Sequence, residues 1–303
     1  MMRKGTKIWL WIASGLILLG CIIWGGVMSI LKWDINQLST IKYETNQHEI
    51  TDDYQNITIV SKTADITFAV SEDGKHRVIC HEQVNAIHSV EVKNGDLVIE
   101  LVDTRKWYEH IGISFQAPKI TVYLPQRAYG KLSIQASTGD ICLPEDFAFE
   151  SADIAVSTGD IALFSSVAET VKLKTTTGKI NVANVNCMGD LSVNVSTGKA
   201  KISYVTCKNL TSSGSTGDIT LENVIVLESL RIERSTGDIE LERCDAATLY
   251  LKTSTGDIEG SLRTGKVFLT HTRTGDVEVP QSTTGGTCEI YTSTGDIEIE
   301  IGR

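Results

Sequence analysis

A Thr-Gly pair recurs nine times at a nearly fixed interval through the second half of the chain. The glycines are Gly139, Gly159, Gly178, Gly198, Gly217, Gly237, Gly256, Gly275 and Gly295, each 19 or 20 residues after the last, and most sit within Ser-Thr-Gly-Asp-Ile. Apolar residues alternate on both sides of the pair: Leu132, Ile134, Ile141 and Leu143 surround Gly139, and Leu230, Ile232, Ile239 and Leu241 hold the same offsets about Gly237. A period of two belongs to a strand. Each repeat therefore reads as strand, tight turn, strand, with branched aliphatic residues on one side and Ser, Thr, Glu and Lys on the other. Glycine suits the turn because a positive φ costs it little, while Ser, Thr and Asp side chains bond nearby backbone.

One such strand pair cannot bury its own apolar face, so the repeats must stack, and a fixed period near 20 is that of a solenoid. The expected fold is all-β, a parallel β-solenoid of the β-helix or β-roll type with about 19–20 residues per coil, preceded by one transmembrane helix. With every Thr-Gly corner directly above the previous one, coils ~4.8 Å apart build a rod of roughly 40 Å. Further Thr-Gly pairs at Gly265 and Gly285 imply a second corner on the opposite edge, hence a flattened coil of two facing sheets. The rival arrangement is an antiparallel sandwich of hairpins, since short strands at ~10-residue spacing fit that as well. The constancy of the step favours the solenoid.

The membrane signal is the uncharged stretch Ile8 to Leu31. About 24 residues at roughly 1.5 Å each exceed a ~30 Å hydrocarbon layer. Arg3, Lys4 and Lys7 precede it and Lys32 alone follows before Asp34, which keeps the N-terminus cytoplasmic and exports the rest. The competing reading is a cleaved signal peptide, but the apolar region is longer than the usual ~7–15 residues. Without residues 1–33 the chain carries 24 basic and 38 acidic residues, a net charge of −14. Such an ectodomain should repel nucleic acid and anionic lipid headgroups.

The organisation expected is a cytoplasmic tip and anchor helix over 1–33, a juxtamembrane spacer over 34–55, an irregular β capping region over 56–130, and the repetitive solenoid over 131–303. Capping is needed because an open solenoid end exposes apolar sheet edge. The C-terminal run Ile297 to Arg303 ends on a strand without an obvious cap, so that end is either blunted by charge or met by a partner.

The Ser-Thr-Gly-Asp-Ile run, with the segment Ile57 to Ile66 that precedes it, resembles the bacterial β-strand-repeat domain of unknown function often labelled "putative adhesin", over roughly residues 56–301. The resemblance implies a membrane segment and an envelope setting, in some relatives tied to envelope stress. It supplies no catalytic residues.

Several candidate sites stand out. The residues after the turn glycines form an acidic ladder, Asp140, Asp160, Asp218, Asp238, Asp257, Asp276 and Asp296, broken by Lys179 and Lys199. Carboxylates ~5 Å apart repel by on the order of 1–3 kcal/mol unless something offsets it. Either each Asp accepts backbone N–H bonds at its own corner, or the ladder holds calcium; calcium needs six to eight oxygens, and the Gly-Gly-x-Gly-x-Asp pattern of calcium rolls is missing. No metal site or cofactor is therefore expected. Cys187 and Cys207 lie nine residues after their glycines and should stack on adjacent coils, within disulfide reach or as small core residues. The six histidines show no metal spacing, although three fall between 76 and 88. Trp107 and Tyr108 form an aromatic loop that either binds a glycan or protein partner or plugs the rod. Arg231, Arg234 and Arg243 read as one solvated face with Glu233, Glu240 and Glu242.

The function these features support is a non-enzymatic, membrane-anchored extracytoplasmic scaffold. Its partner is a protein or cell-wall polymer, in adhesion or envelope-stress signalling, and nothing in the sequence sets an oligomeric state. The alternative is a carbohydrate-active β-helix lyase or hydrolase, which acts through clustered Asp, Arg or Lys in a groove.

Overall fold

The computed structural model describes residues 4–112, 114 and 116–302; Arg3 of the basic flank and Arg303 lie outside the described residues. A helix, Lys4–Ile30, opens the chain. Its stretch Trp9–Ile30 is long and apolar enough to cross a membrane, and its residues are exposed apart from the buried Met28 and the half-buried Gly25 near its end.

Most of the rest is a parallel β-solenoid. A representative coil runs from strand Asp190–Thr197 through the corner at Gly198 to Ala200–Ser203, past a second corner to Thr206–Cys207, and on into Asn209–Thr216. Like stacks on like: Leu191 pairs with Leu210, and Ala200 with Ile180 below and Ile219 above. Inward positions such as Ile134, Ile154, Leu173, Val193 and Ile232 are almost completely buried. Removing a branched side chain from such a column costs about 2–5 kcal/mol.

The Thr-Gly corners need glycine for two reasons. Their φ angles lie between +117° and +148°. A Cβ at Gly217 would also strike the carbonyl oxygen of Gly198 in the neighbouring coil. The close approach lets eight of the nine glycine N–H groups donate across the stack, as from Gly198 to Thr216 O at 2.9 Å.

The coil has three sides, not two facing sheets. Its second corner is a left-handed residue at Asn184, Tyr204, Asn223 and Arg243, with φ of 52–59°. Gly265 and Gly285 stack at the third corner, where a Cβ on Gly285 would meet Gly265 O. Splitting the segment between Thr-Gly corners into two short strands lets both of them point aliphatic residues at one narrow core.

The stacking order also departs from the sequence at both ends. Strand Asn56–Thr63 lies between Asp96–Asp103 and Ala128–Thr138, so the first coil is second in space. Strand Ile297–Ile301 lies between Ile258–Leu262 and Val277–Glu278, so the last coil is second from the other end. The expectation that each corner stands on the previous one holds from Gly139 to Gly256 and then fails: Gly295 packs on Gly256, and Gly275 packs on Gly295. Burial decides the order. Ile297 and Ile299 are core residues, whereas Val277 and Glu278 are exposed and Pro280 follows them. A short exposed strand next to a proline makes a blunt terminal layer.

At the N-terminal end, residues 34–55 are more than a spacer. Tyr43–Ile50 pairs antiparallel with His76–Gln83, which pairs antiparallel with Lys119–Leu124. Ala86–Lys93 covers Asp96–Asp103 in the same way. The outermost strand, Tyr-Glu-Thr-Asn-Gln-His-Glu-Ile, is polar enough to discourage edge pairing.

Candidate functional site

The aspartate ladder bonds between coils, not within its own corners. Asp140 Oδ1 accepts the N–H of Asp160 at 2.8 Å, Asp160 that of Lys179 at 2.7 Å, Asp238 that of Asp257 at 2.9 Å and Asp257 that of Asp296 at 2.8 Å. Asp65 starts the series by accepting from Asp140, Asp218 accepts from Asp238, and Asp296 accepts from Asp276. One oxygen of each of these seven carboxylates is thus committed to backbone, Asp276 at the end of the stack only donating its amide, and few oxygens per level are left where calcium needs six to eight. Lys199 relieves the charge at Asp218 with a 2.8 Å ion pair, and that bond, followed by the one from Asp238, holds the Asp218 carboxyl below its usual value.

Beside the ladder runs a column of exposed threonines in register: Thr63, Thr138, Thr158, Thr177, Thr197, Thr216, Thr236, Thr255, Thr294 and Thr274. It presents one hydroxyl and one methyl per coil over the length of the rod.

Two open depressions mark the surface. One, of about 410 Å³, is lined by Glu240, Glu242, Glu259, Glu298 and Glu300. Glu240, Glu259, Glu298 and Glu278 occupy successive levels of the same column. Burial and then the neighbouring acidic groups push the Glu259 carboxyl up. The other, of about 370 Å³, lies between Thr40–Lys42 and the Tyr108–Gly112 loop. Trp107 and Tyr108 do not plug the rod: they are 77% and 50% exposed.

The cap holds a buried polar cluster that the sequence did not reveal. His88 Nδ1 is 2.6 Å from Glu82 Oε2, and His88 Nε2 is 3.1 Å from Ser61 Oγ. Asn46 donates to Glu82 Oε1 at 2.9 Å, and the His88 amide donates to Oε2 at 2.7 Å. Cys80 completes, among the described residues, the one group with three metal-ligating atoms within 4.8 Å. The order Ser, His, carboxylate is that of a hydrolytic triad. Yet Ser61 is 6% exposed in mid-strand, and the adjoining void is about 10 Å³, room for at most one water. The same contacts engage both ring nitrogens of His88. Burial alone would raise the Glu82 carboxyl, but the bonds from His88 and Asn46 outweigh it and hold the group below its usual value. The cluster therefore serves as a satisfied polar plug.

The family model described as Toastrack DUF4097 matches residues 54–300. This chain belongs to that family. The Toastrack chain is also similar to solved structures. A "putative adhesin" from Bacteroides fragilis is 15% identical, with 86% of this chain and 97% of that one covered and a TM-score of 0.45. A "putative adhesin" from Parabacteroides distasonis is 14% identical, with 86% and 98% covered and a TM-score of 0.47. No curated protein matches the sequence.

Other predicted positions of the Toastrack chain fall as follows. Cys187 and Cys207 are buried unbonded thiols on adjacent coils, and their mutual contact, then burial, pushes the Cys207 thiol far up. Arg231 and Arg243 face outward, but Arg234, expected beside them, points into the core at 5% exposure. It takes the room left by Gly214 in the coil beneath, whose missing Cβ would collide with the guanidinium.

Proposed function

We propose that the chain is a membrane-anchored extracytoplasmic scaffold, with helix Trp9–Ile30 spanning the membrane, the N-terminus cytoplasmic and the rod displayed outside. It engages a cell-wall polymer or protein partner through many shallow contacts, in adhesion or envelope-stress signalling. The observation that carries this reading is the exposed threonine column, which repeats one chemical group at every level of a backbone-locked rod. A periodic surface of this kind favours a periodic partner, and weak contacts made together multiply.

The test is retention of the full chain, held in nanodiscs, on purified wall polymer, together with capture of membrane proteins from the same envelope. Lysine substitutions at Thr158, Thr177, Thr197 and Thr216, added one at a time, should weaken binding in steps. Abolition by one substitution, or binding to neither class of partner, contradicts the proposal.

The rival reading, a carbohydrate-active enzyme, draws on the acidic depression and the raised Glu259 carboxyl, a trait of general acids. Turnover of a polysaccharide that disappears in Glu259→Gln would establish it in place of the scaffold.

A further inference from the structure

Among the described residues, six of the thirteen large apolar side chains exposed beyond Asp34 gather at one corner of the cap: Val84, Ile87, Val102, Trp107, Tyr108 and Ile111. That is a concentrated patch, not scatter, and patches of this kind mark interaction surfaces. Backbone bonds draw its parts together. Val84 N–H donates to Lys42 O at 3.2 Å and Thr104 N–H to Asn85 O at 3.0 Å. Ile87 stands opposite Val102 on the outward side of paired strands.

The aromatic loop is built to hold its side chains out. The 3-10 turn Trp107–His110 is closed by Glu109, whose Oε2 accepts the Lys106 N–H at 2.9 Å. Trp107 and Tyr108 meet edge to face at 5.9 Å, and Lys106 Nζ lies 5.9 Å from the Tyr108 ring. Neither ring packs into the core.

Chain connectivity says which surface this patch meets. Gly112 sits against Ile41, so close that a Cβ there would crowd the Ile41 side chain. Ile41 follows the end of the apolar helix, Ile30, by eleven residues. An extended chain spans at most ~3.6 Å per residue, so the loop lies within roughly 40 Å of the helix end, and the 3-10 turn Ile35–Leu38 shortens that reach. Tryptophan and tyrosine favour the membrane interface, with their rings at the headgroup level. Lys42 and Lys106 supply local positive charge beside the patch of an otherwise acidic ectodomain.

We propose that Trp107, Tyr108 and Ile111 insert into the interfacial layer of the same membrane that the helix spans, so that the rod is fixed at two points and keeps one orientation. This rests on the anchor reading above. The partner is the lipid headgroup and upper acyl region, with Lys106 against phosphate.

The test uses the full chain in phosphatidylcholine and phosphatidylglycerol vesicles with two single-tryptophan variants. One keeps Trp107 (Trp9, Trp11, Trp24 and Trp33 each →Phe); the other keeps Trp24 (Trp9, Trp11, Trp33 and Trp107 each →Phe). Trp24 emission lost to brominated acyl chains confirms the anchor. Trp107 should then lose emission to bromines near the glycerol end more than to bromines near the methyl end, and Lys106→Glu should reduce that loss. Quenched Trp24 with unquenched, water-like Trp107 emission overturns the proposal, leaves the anchor standing and assigns the patch to a polymer or protein. Unquenched Trp24 overturns both.

Discussion

The backbone amide of Asp276 donates to Asp296 Oδ1 at 2.7 Å, so the last Thr-Gly corner of the sequence lies inside the one before it. Asp296 in turn donates its own amide to Asp257 Oδ1 at 2.8 Å. The C-terminal strand is thereby held on both edges, and the first coil, Asn56–Val70, is enclosed in the same way at the other end. Neither the first coil nor the last coil of the sequence is therefore an edge of the stack.

Identical motifs at different corners should respond differently. Gly217→Ala meets φ +117° and the Gly198 carbonyl, and should destabilise by about 2–4 kcal/mol. Gly265→Ala, also within Thr-Gly, has its nearest atom at 3.5 Å and should change stability by less than about 0.5 kcal/mol. Thermal melts of the two variants check this.

Arg234 is buried with Nε and Nη1 unpaired and one bond, 3.0 Å to Ser212 Oγ. At the same place in other coils Thr175, Thr253 and Thr292 cap a glycine carbonyl at 3.0–3.1 Å. Arg234→Met keeps the volume and removes a buried charge that the Asp218 carboxylate offsets only in part, so it should stabilise by on the order of 1–3 kcal/mol. A lower melting temperature contradicts this.

The Glu82–His88 pair makes cap stability depend on pH. The folded Glu82 carboxyl lies below its usual value, so its contribution is present above the normal carboxylate range and is lost as pH falls through the folded value. Glu82→Gln should abolish that acid-side loss while weakening the cap at neutral pH by roughly 1–3 kcal/mol, the cost of losing a charged hydrogen-bond acceptor. Hydrogen exchange over residues 76–93 at several pH values reports both effects.

Glu259 has the opposite sign. Its carboxyl is raised by burial and by stacked acidic neighbours, so the stabilisation it gives when protonated is lost as pH rises through the folded value. Glu259→Gln should raise the melting temperature at pH 7, by less at high salt, where exposed charges are screened. Unchanged melting at low salt contradicts the repulsion.

How much of this was legible depends on what a repeat can encode. The strand alternation around Gly139 and Gly237 reports local geometry and the coil length, so the solenoid could be read directly. The second corner could not, because its left-handed positions hold Asn184, Tyr204, Asn223 and Arg243, and two of those four are residue types that rarely adopt this conformation. Nor does a period say which coil a strand pairs with, so the exchanged ends were hidden. The aspartates were recognised as backbone acceptors but assigned to the wrong amides, since a local turn and a stacked one use the same residue. Ser61, Glu82 and His88 carry no shared spacing, and irregular antiparallel pairing brings them together.

The central claim, a backbone-locked rod whose last coil is enclosed, is tested most directly by cysteine pairs placed in the exposed threonine column of the native protein. Thr255→Cys with Thr294→Cys should form a disulfide on mild oxidation, because those residues bridge adjacent coils, and Thr255→Cys with Thr274→Cys should not, because Thr294 lies between them. Cross-linking of 255 to 274 without 255 to 294, mapped by peptide mass, would mean that the coils stack in sequence order and would contradict the account.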